Sequence, residues 1–313
     1  MTGFGGLFAS EVRRFFSRRF FKGLGLAMVA MLLLQLGVAF FLSSNDPDSG
    51  LAEARRDIAA CERAERSAVA PDGQPVDFGC GTVEDLRGAY DKRFYYARSM
   101  EEVFRGLGVI ALILGLVAGA SFVGAEWGTG SMATLLTWEP RRGRVLLAKV
   151  LACLAIVAAT VSVALVLIAL LFFPVGVLRG TTDGATRSFW WTQAGIGVRD
   201  MGLSMFGAAF GIGLATFIRN TAGAIGVGFF YGSVVDSLLS FWQDGLIREW
   251  LLQYNIARLL GEAVESRGEE FVAPGEAFTQ VTLSATRPTI LLASYGVALL
   301  LLAWAVFRSR DVA

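Results

Sequence analysis

The segment on which the fold depends reads GAEWGTGSMATLLTWEPRRGRVLLAK and extends from Gly124 to Lys149. Long apolar runs precede and follow it, whereas the segment itself carries two acidic and four basic residues, namely Glu126, Glu139, Arg141, Arg142, Arg144 and Lys149. Charged side chains are costly inside hydrocarbon, so this segment is not expected to cross a membrane. It predicts a short structured link that lies at one membrane face between two spanning helices.

The composition restricts the class of protein. Apolar residues make up 54% of the 313 residues, the mean hydropathy is +0.56, and 18% of the residues are charged, which is below the roughly 25% of a soluble domain. The chain has no histidine, the usual acid–base group near neutral pH and a frequent metal ligand. It also lacks a G-x-x-x-x-G-K-[ST] phosphate loop, so we expect no ATP hydrolysis, catalytic site or metal site in this chain.

Six apolar runs are each close to the length of about 20 residues that a helix needs to cross hydrocarbon. The sequence therefore predicts an all-α polytopic membrane protein with six transmembrane helices. These spans are expected at residues 20–42, 104–125, 145–173, 199–217, 221–239 and 288–307. The remaining segments are residues 1–19, 43–103, 126–144, 174–198, 218–220, 240–287 and 308–313.

Arginine and lysine accumulate on one side of the predicted spans. They lie in residues 13–22, 141–149, 219 and 308–310. Because loops rich in these residues remain in the cytoplasm, we expect both termini to be cytoplasmic. Residues 43–103, 174–198 and 240–287 are then expected on the outer side.

The N-terminal segment, residues 4–18, places Phe and Leu at helical i, i+3, i+4 spacing and its arginines elsewhere. This pattern is typical of a basic amphipathic helix that lies on the inner leaflet. The alternative is a basic flank that serves only to orient the first span.

The outer segments are expected to be helical. In the first, residues 51–66 and 83–103 are predicted helices, and Cys61 and Cys80 flank the turn-rich stretch between them. On an oxidising face these cysteines are expected to form a disulfide, although two free thiols remain the alternative. Residues 241–260 are too interrupted by charge to span and favour a helix in or along the outer leaflet.

Few ionisable residues occur within the spans. Asp236, Arg199 and Asp200 lie near the outer ends of the fifth and fourth spans and either pair with one another or lie in the interfacial zone. No acid, lysine or histidine is evident near a midplane, which argues against a proton relay. Small-residue steps predict close helix packing and occur at Gly115/Gly119, Gly207/Gly211 and Gly228/Gly232.

These features together resemble the membrane subunit of a type-2 ABC exporter. In that family an amphipathic connecting helix precedes the first span, and the link between the second and third spans holds a coupling helix. The link here matches the family pattern of an acid, Gly-Thr, Leu-Leu, Pro, arginines and a lysine. The short turn Arg219–Asn220–Thr221 is similar to the family's second contact with its ATPase.

The resemblance implies a division of labour between subunits. Two copies of a separate ATPase subunit would bind ATP and Mg²⁺, and this chain would hold no cofactor and would pair with a second copy or with a similar permease. The residues that would couple it to the ATPase are Glu126, Thr129, Met132, Leu135, Leu136, Trp138, Pro140, Arg141, Arg142, Arg144 and Lys149. Met132–Trp138 would form the two-turn coupling helix.

The expected activity is export of a hydrophobic or amphipathic drug, lipid or peptide across the plasma membrane of a bacterium. Membrane lipid is an expected partner, and nucleic acid is not. Candidate pathway residues are Phe122, Phe229, Phe230, Tyr231 and Asp236, although aromatic residues also face lipid. The alternatives are a secondary transporter or channel, which needs a polar midplane site, a membrane enzyme, which needs a catalytic cluster, and a scaffold, which needs neither.

Overall fold

The computed structural model describes residues 3–46, 48–68, 78–138, 141–241, 249–261 and 285–309. Within these ranges the regular elements are helices, apart from one pair of two-residue strands. The first elements are α1 (Phe4–Ser17), α2 (Arg19–Leu42), α3 (Leu51–Ser67), α4 (Val83–Tyr90), β1 (Phe94–Tyr95), α5 (Tyr96–Gly128) and α6 (Ser131–Trp138). Then come α7 (Arg142–Arg179), β2 (Gly180–Thr181), α8 (Arg187–Ile218), α9 (Thr221–Phe230), a π-helix (Tyr231–Val235), α10 (Asp236–Phe241), α11 (Leu252–Leu260) and α12 (Thr286–Ser309).

Six helical segments among the described residues are long and apolar enough to cross a membrane, which confirms the predicted all-α polytopic fold. They are Arg19–Leu42, Tyr96–Gly128, Arg142–Arg179, Arg187–Ile218, Thr221–Leu239 and Thr286–Ser309. Several are longer than the apolar runs that predicted them, because a helix continues into its polar flanks. The second, for example, begins at Tyr96 and includes Arg98 and Glu101 before the apolar run starts at Phe104.

The chain divides into two compact units. The first comprises Met1–Leu26, Glu102–Val166 and Trp191–Ala313, and the second comprises Ala27–Glu101 and Leu167–Trp190. The first unit contains the charged link and the larger apolar core. That core groups Phe15, Phe122, Met132, Ile156 and Ile212 with neighbouring buried side chains.

Glycines bring α5 and α8 into backbone contact within the first unit. A Cβ atom added at Gly115 would lie 2.2 Å from the carbonyl oxygen of Ser204, and one added at Gly119 would lie 2.2 Å from that of Ala208. Gly207 and Gly211 approach α5 equally closely from the other side. The packing role predicted for these two glycine steps is therefore confirmed, whereas a Cβ atom added at Gly232 would meet no other described element within 4 Å.

A two-residue turn joins α8 to α9. Arg219 adopts a φ of 57°, a left-handed conformation that is unusual for a residue with a side chain. Asn220 then caps α9, since its side chain accepts a hydrogen bond of 2.9 Å from the backbone N–H of Gly223. Asn is among the preferred residues at this position, which explains why the chain reverses here without a longer loop.

In the second unit, the Cys61–Cys80 disulfide joins α3 to the segment just before α4, which confirms the predicted pair. Cys153, in the other unit, is a free and buried thiol. The side chain of Thr82 accepts a hydrogen bond from the backbone N–H of Asp85, and the Asp85 carboxylate accepts one in return, a capping box that starts α4.

The predicted single helix over residues 83–103 is wrong. The structure has α4 and α5 with β1 between them, and β1 pairs in parallel with β2. Asp91 and Arg93 form an ion pair at this break, and the bonded guanidinium lowers the pKa of the Asp91 carboxyl to about 2. Gly180 permits the strand pairing, because a Cβ atom there would lie 2.0 Å from the carbonyl oxygen of Phe94.

Candidate functional site

A buried group of charged side chains connects α1 with the C-terminal end of α5 and the N-terminal end of α7. The ammonium of Lys149, on α7, lies 2.7 Å from the Glu11 carboxylate of α1 and 2.7 Å from the Glu126 carboxylate of α5. Lys149 and Glu11 are fully buried, and Glu126 is nearly so. We call Glu11, Arg14, Arg18, Glu126 and Lys149 the charged cluster.

Two arginines of the N-terminal segment complete the charged cluster. Arg18 lies 2.7 Å from Glu126 and donates further hydrogen bonds to the carbonyl oxygens of Ser121 and Phe122. Arg14 lies 3.1 Å from Glu11. The guanidinium of Arg18 and the ammonium of Lys149 are each 5.1 Å from the centre of the Phe122 ring, within the range of cation–π attraction.

Apolar side chains pack around the buried part of the charged cluster, so each buried charge there depends on its partner for compensation. Phe15 stacks on Phe21 with ring centres 3.7 Å apart and also contacts Phe122. Removing one member of a buried ion pair leaves an uncompensated charge in a region of low dielectric, which typically costs 3–5 kcal/mol. The cluster therefore fixes α1 against the end of α5 and the start of α7.

The predicted two-turn helix is present as α6, Ser131–Trp138. It follows a turn in which Gly130 has a φ of 69°, a conformation that glycine adopts without strain. Met132 and Leu135 are buried in the chain's own core, whereas the Trp138 side chain is 85% exposed. Leu136 is partly buried against the core. Of the four apolar residues of α6 that were predicted to couple to the ATPase, Trp138 is thus the one that projects from the chain.

The remaining residues of the link surround α6. Thr129 donates a hydrogen bond of 3.0 Å to the carbonyl oxygen of Ala125. Arg141 is exposed just before α7, and Arg142 and Arg144 lie in its first turn. Cations are unfavourable at a helix N-terminus, so helix stability does not explain these arginines. Glu139 and the predicted site residue Pro140 lie outside the described residues.

The α8–α9 turn lies beside the same end of α5. The Arg219 guanidinium is 4.6 Å from the centre of the Trp127 ring, and Trp127 also contacts Phe307 of α12. A Cβ atom at Gly124 would lie 2.8 Å from the backbone of Thr221. The structure thus brings together the two segments that resemble ATPase contacts.

The predicted pathway residues do not lie together. Phe229 and Tyr231 line an apolar cavity of about 360 Å³. Its walls come from α5, α8, the α9–π-helix junction and α11, and its polar side chains are Tyr231, Ser233 and Gln253. Phe122 is instead buried in the charged cluster, and Phe230 is exposed outside the cavity.

Asp236 caps α11 and does not line the cavity. Its buried carboxylate accepts hydrogen bonds from the backbone N–H groups of Leu252 (3.1 Å) and Gln253 (2.6 Å). The Gln253 side chain donates to the carbonyl oxygen of Gly232, which belongs to the π-helix. At the other end of α11, Arg199 donates to the carbonyl oxygen of Leu259 at 3.4 Å.

The charges at both ends of α11 complement its dipole, with an anion at the N-terminus and a cation at the C-terminus. Among the described contacts, Asp236 and Arg199 thus bond to α11 rather than to each other. Asp200 is fully buried, and both of its carboxylate oxygens lack a hydrogen-bond partner among the described residues.

Glu11 is not among the predicted site residues. A signal existed, because Glu11 lies on the apolar stripe of α1, four residues from both Leu7 and Phe15, where an unpaired acid would be unfavourable. Its buried partner Lys149, however, is 138 positions away in the chain. Gln253 is not among the predicted residues either. Its side chain bonds to the π-helix, and no sequence pattern predicted that helix.

The fold and the charged cluster define a multi-pass membrane protein with a short helix held between its second and third spans. A family model described as ABC-2 family transporter protein matches residues 7–312. The chain therefore belongs to the ABC-2 transporter family and is a membrane subunit of an ABC transporter. Permeases of this family generally pair with an ABC ATPase and are typically not catalytic themselves. A search of curated proteins found no match.

Proposed function

We propose that this chain is the permease of an ATP-driven exporter and that α6 is its coupling helix. ATP and Mg²⁺ bind in the separate ATPase subunits, of which two copies serve two permease chains, either identical or similar. Both termini and α6 are cytoplasmic, as the arginine distribution favours. The substrate is hydrophobic or amphipathic and leaves the cytoplasm or the inner leaflet.

The observation that carries the proposal is the division of α6 into a buried and an exposed face. Met132 and Leu135 anchor the helix in the core, and Trp138 projects from it. Glu126, five residues before α6, belongs to the charged cluster with Lys149 of α7. A push on Trp138 is therefore transmitted to the second and third spans through packed and ion-paired groups.

The apolar cavity supports the choice of substrate class. Its lining has no charged side chain among the described residues, and Tyr231, Ser233 and Gln253 supply a few polar groups. Cavities of this kind, largely apolar with few polar groups, are typical of small-molecule sites. The pathway proposal thus rests on Phe229 and Tyr231. A conformational change of α11, which forms one wall, would open or close the cavity.

The coupling role is tested by Trp138→Ala and Leu135→Ala in the chain co-expressed with its ATPase. Trp138→Ala is expected to reduce co-purification of the ATPase at least tenfold, because exposed tryptophans at interfaces often contribute 2 kcal/mol or more to binding. It should leave the melting temperature of the purified permease unchanged. Leu135→Ala should lower that temperature, since a buried leucine is lost.

Trp138→Phe is the matched control, since it retains an aromatic side chain and is expected to keep the ATPase bound. If Trp138→Ala co-purifies with the ATPase and supports export at the normal rate, α6 is not the coupling helix. Loss of the fold in Trp138→Ala would equally contradict the assignment of this residue to a partner surface.

A further inference from the structure

A polar groove lies between the N-terminal segment and α6, next to the charged cluster. Its volume is about 450 Å³. Arg14, Ser17 and Arg18 form one side, and Glu126, Ser131, Thr134, Leu135 and Trp138 form the other. Two guanidinium groups and the Thr134 hydroxyl can thus donate into one space, a donor set that suits a phosphate group, whereas Ser17 and Ser131 donate to the carbonyl oxygens of Arg14 and Glu126.

The charge balance favours an anion in this groove. The charged cluster contains three cations, Arg14, Arg18 and Lys149, and two carboxylates, Glu11 and Glu126, so one positive charge is in excess. Both carboxylates are already bonded within the cluster. A single negative charge in the groove would neutralise the excess, and Arg14, whose side chain is 44% exposed, can reach it.

The surroundings indicate where that anion comes from. Phe16 is 57% exposed and Phe20 is 49% exposed, and both lie within two residues of a groove arginine. Large aromatic side chains beside basic residues are typical of a helix at the level of lipid headgroups. A lipid can place its phosphate between the arginines while its acyl chains cover the phenylalanines.

We propose that this groove binds the phosphate of an anionic phospholipid from the leaflet at the basic ends of the spans. Arg14 and Arg18 hold the phosphate, with the Thr134 hydroxyl as a further donor. The lipid connects α1 to α6, whereas the charged cluster connects α1 to α5 and α7. Binding requires a net negative headgroup, because a zwitterionic lipid brings no net charge to offset the excess.

The test uses the purified full chain in neutral detergent, without the ATPase, so that it is independent of the coupling proposal. Native mass spectrometry measures binding of dioleoylphosphatidylglycerol and dioleoylphosphatidylcholine. We expect preferential binding of the anionic lipid, weakened about tenfold in Arg14→Gln, the loss of one charge-assisted hydrogen bond. Arg13→Gln is the matched control, since Arg13 is an exposed neighbour that does not line the groove.

Arg14→Lys separates lipid binding from folding, because it preserves the charge beside Glu11 and should retain most of the affinity. Equal weakening in Arg13→Gln and Arg14→Gln, or equal binding of both lipids, would overturn the proposal. Competition by millimolar inorganic phosphate that is lost in Arg14→Gln would make this a site for free anions and not for lipid. Unchanged binding of the anionic lipid in Arg14→Gln would likewise overturn the proposal.

Discussion

At the scale of single residues, the charged cluster is the feature with the largest energetic consequences. Lys149 lies between two carboxylates in a region closed to solvent. Each carboxylate keeps one arginine when the lysine is removed, but an oxygen of each then loses its cation. The pairs are therefore coupled, and their contributions to stability should not add.

Lys149→Met is expected to destabilise the purified permease by roughly 3 kcal/mol, observed as a lower melting temperature. Glu11→Gln should cost less, because Gln retains a hydrogen-bonding oxygen. The double variant should cost less than the sum of the single variants by roughly 1 kcal/mol or more. Strictly additive losses would show that Glu11 and Lys149 do not interact.

Two buried aspartates provide a matched pair of variants. Asp236 accepts two backbone hydrogen bonds at the start of α11, whereas Asp200 accepts none among the described residues. Asp236→Asn should cost about 1 kcal/mol through loss of the charged cap. Asp200→Asn should leave the melting temperature unchanged or raise it, since it removes a buried carboxylate that has no donor. The reverse order of stability would contradict the contacts described for both residues.

At the scale of elements, small residues and exposed aromatic residues have different roles. The glycines of α5 and α8 are required where two backbones touch. The Trp138 side chain at the end of α6 is exposed and buries little surface within the chain. Sequence patterns predicted both elements, but periodicity alone could not show that Leu135 points inward and Trp138 outward.

Gly119→Ala is expected to destabilise the α5–α8 contact by about 1–3 kcal/mol, because its Cβ atom would lie 2.2 Å from the Ala208 carbonyl oxygen. Gly226→Ala is the control, since a Cβ atom added there would meet no other described element within 4 Å. Alanine also favours a helix over glycine by up to about 1 kcal/mol. Thermal unfolding of both variants in detergent measures the difference. Equal effects would mean that α5 and α8 are not in backbone contact.

Sequence reasoning succeeded where one local pattern determines the structure. Hydropathy gave the six spans, and the spacing of Gly115 and Gly119 gave a helix contact. Contacts between residues that are distant in the chain could not be predicted in this way. The Glu11–Lys149 pair and the capping of α11 by Asp236 depend on packing between elements, and the break at Asp91 depends on pairing with Gly180.

At the scale of the whole molecule, the orientation in the membrane determines which surface meets the ATPase. We expect Ser67→Cys to react with an impermeant maleimide from outside intact cells, and Thr137→Cys only after permeabilisation. The background needs only Cys153 replaced, because Cys61 and Cys80 are joined. Thr137 is an exposed residue of α6. Labelling of both positions from outside would contradict the proposed topology.

The central claim is that the exposed end of α6 meets the ATPase. A photoreactive phenylalanine analogue at position 138 tests this most directly, with the analogue at position 191, an exposed tryptophan of α8 in the segment expected on the outer side, as the control. We predict that illumination of membranes joins the ATPase covalently to the permease from position 138 and not from position 191. An ATPase that co-purifies yet forms no adduct from position 138, or that reacts from position 191, would contradict the account.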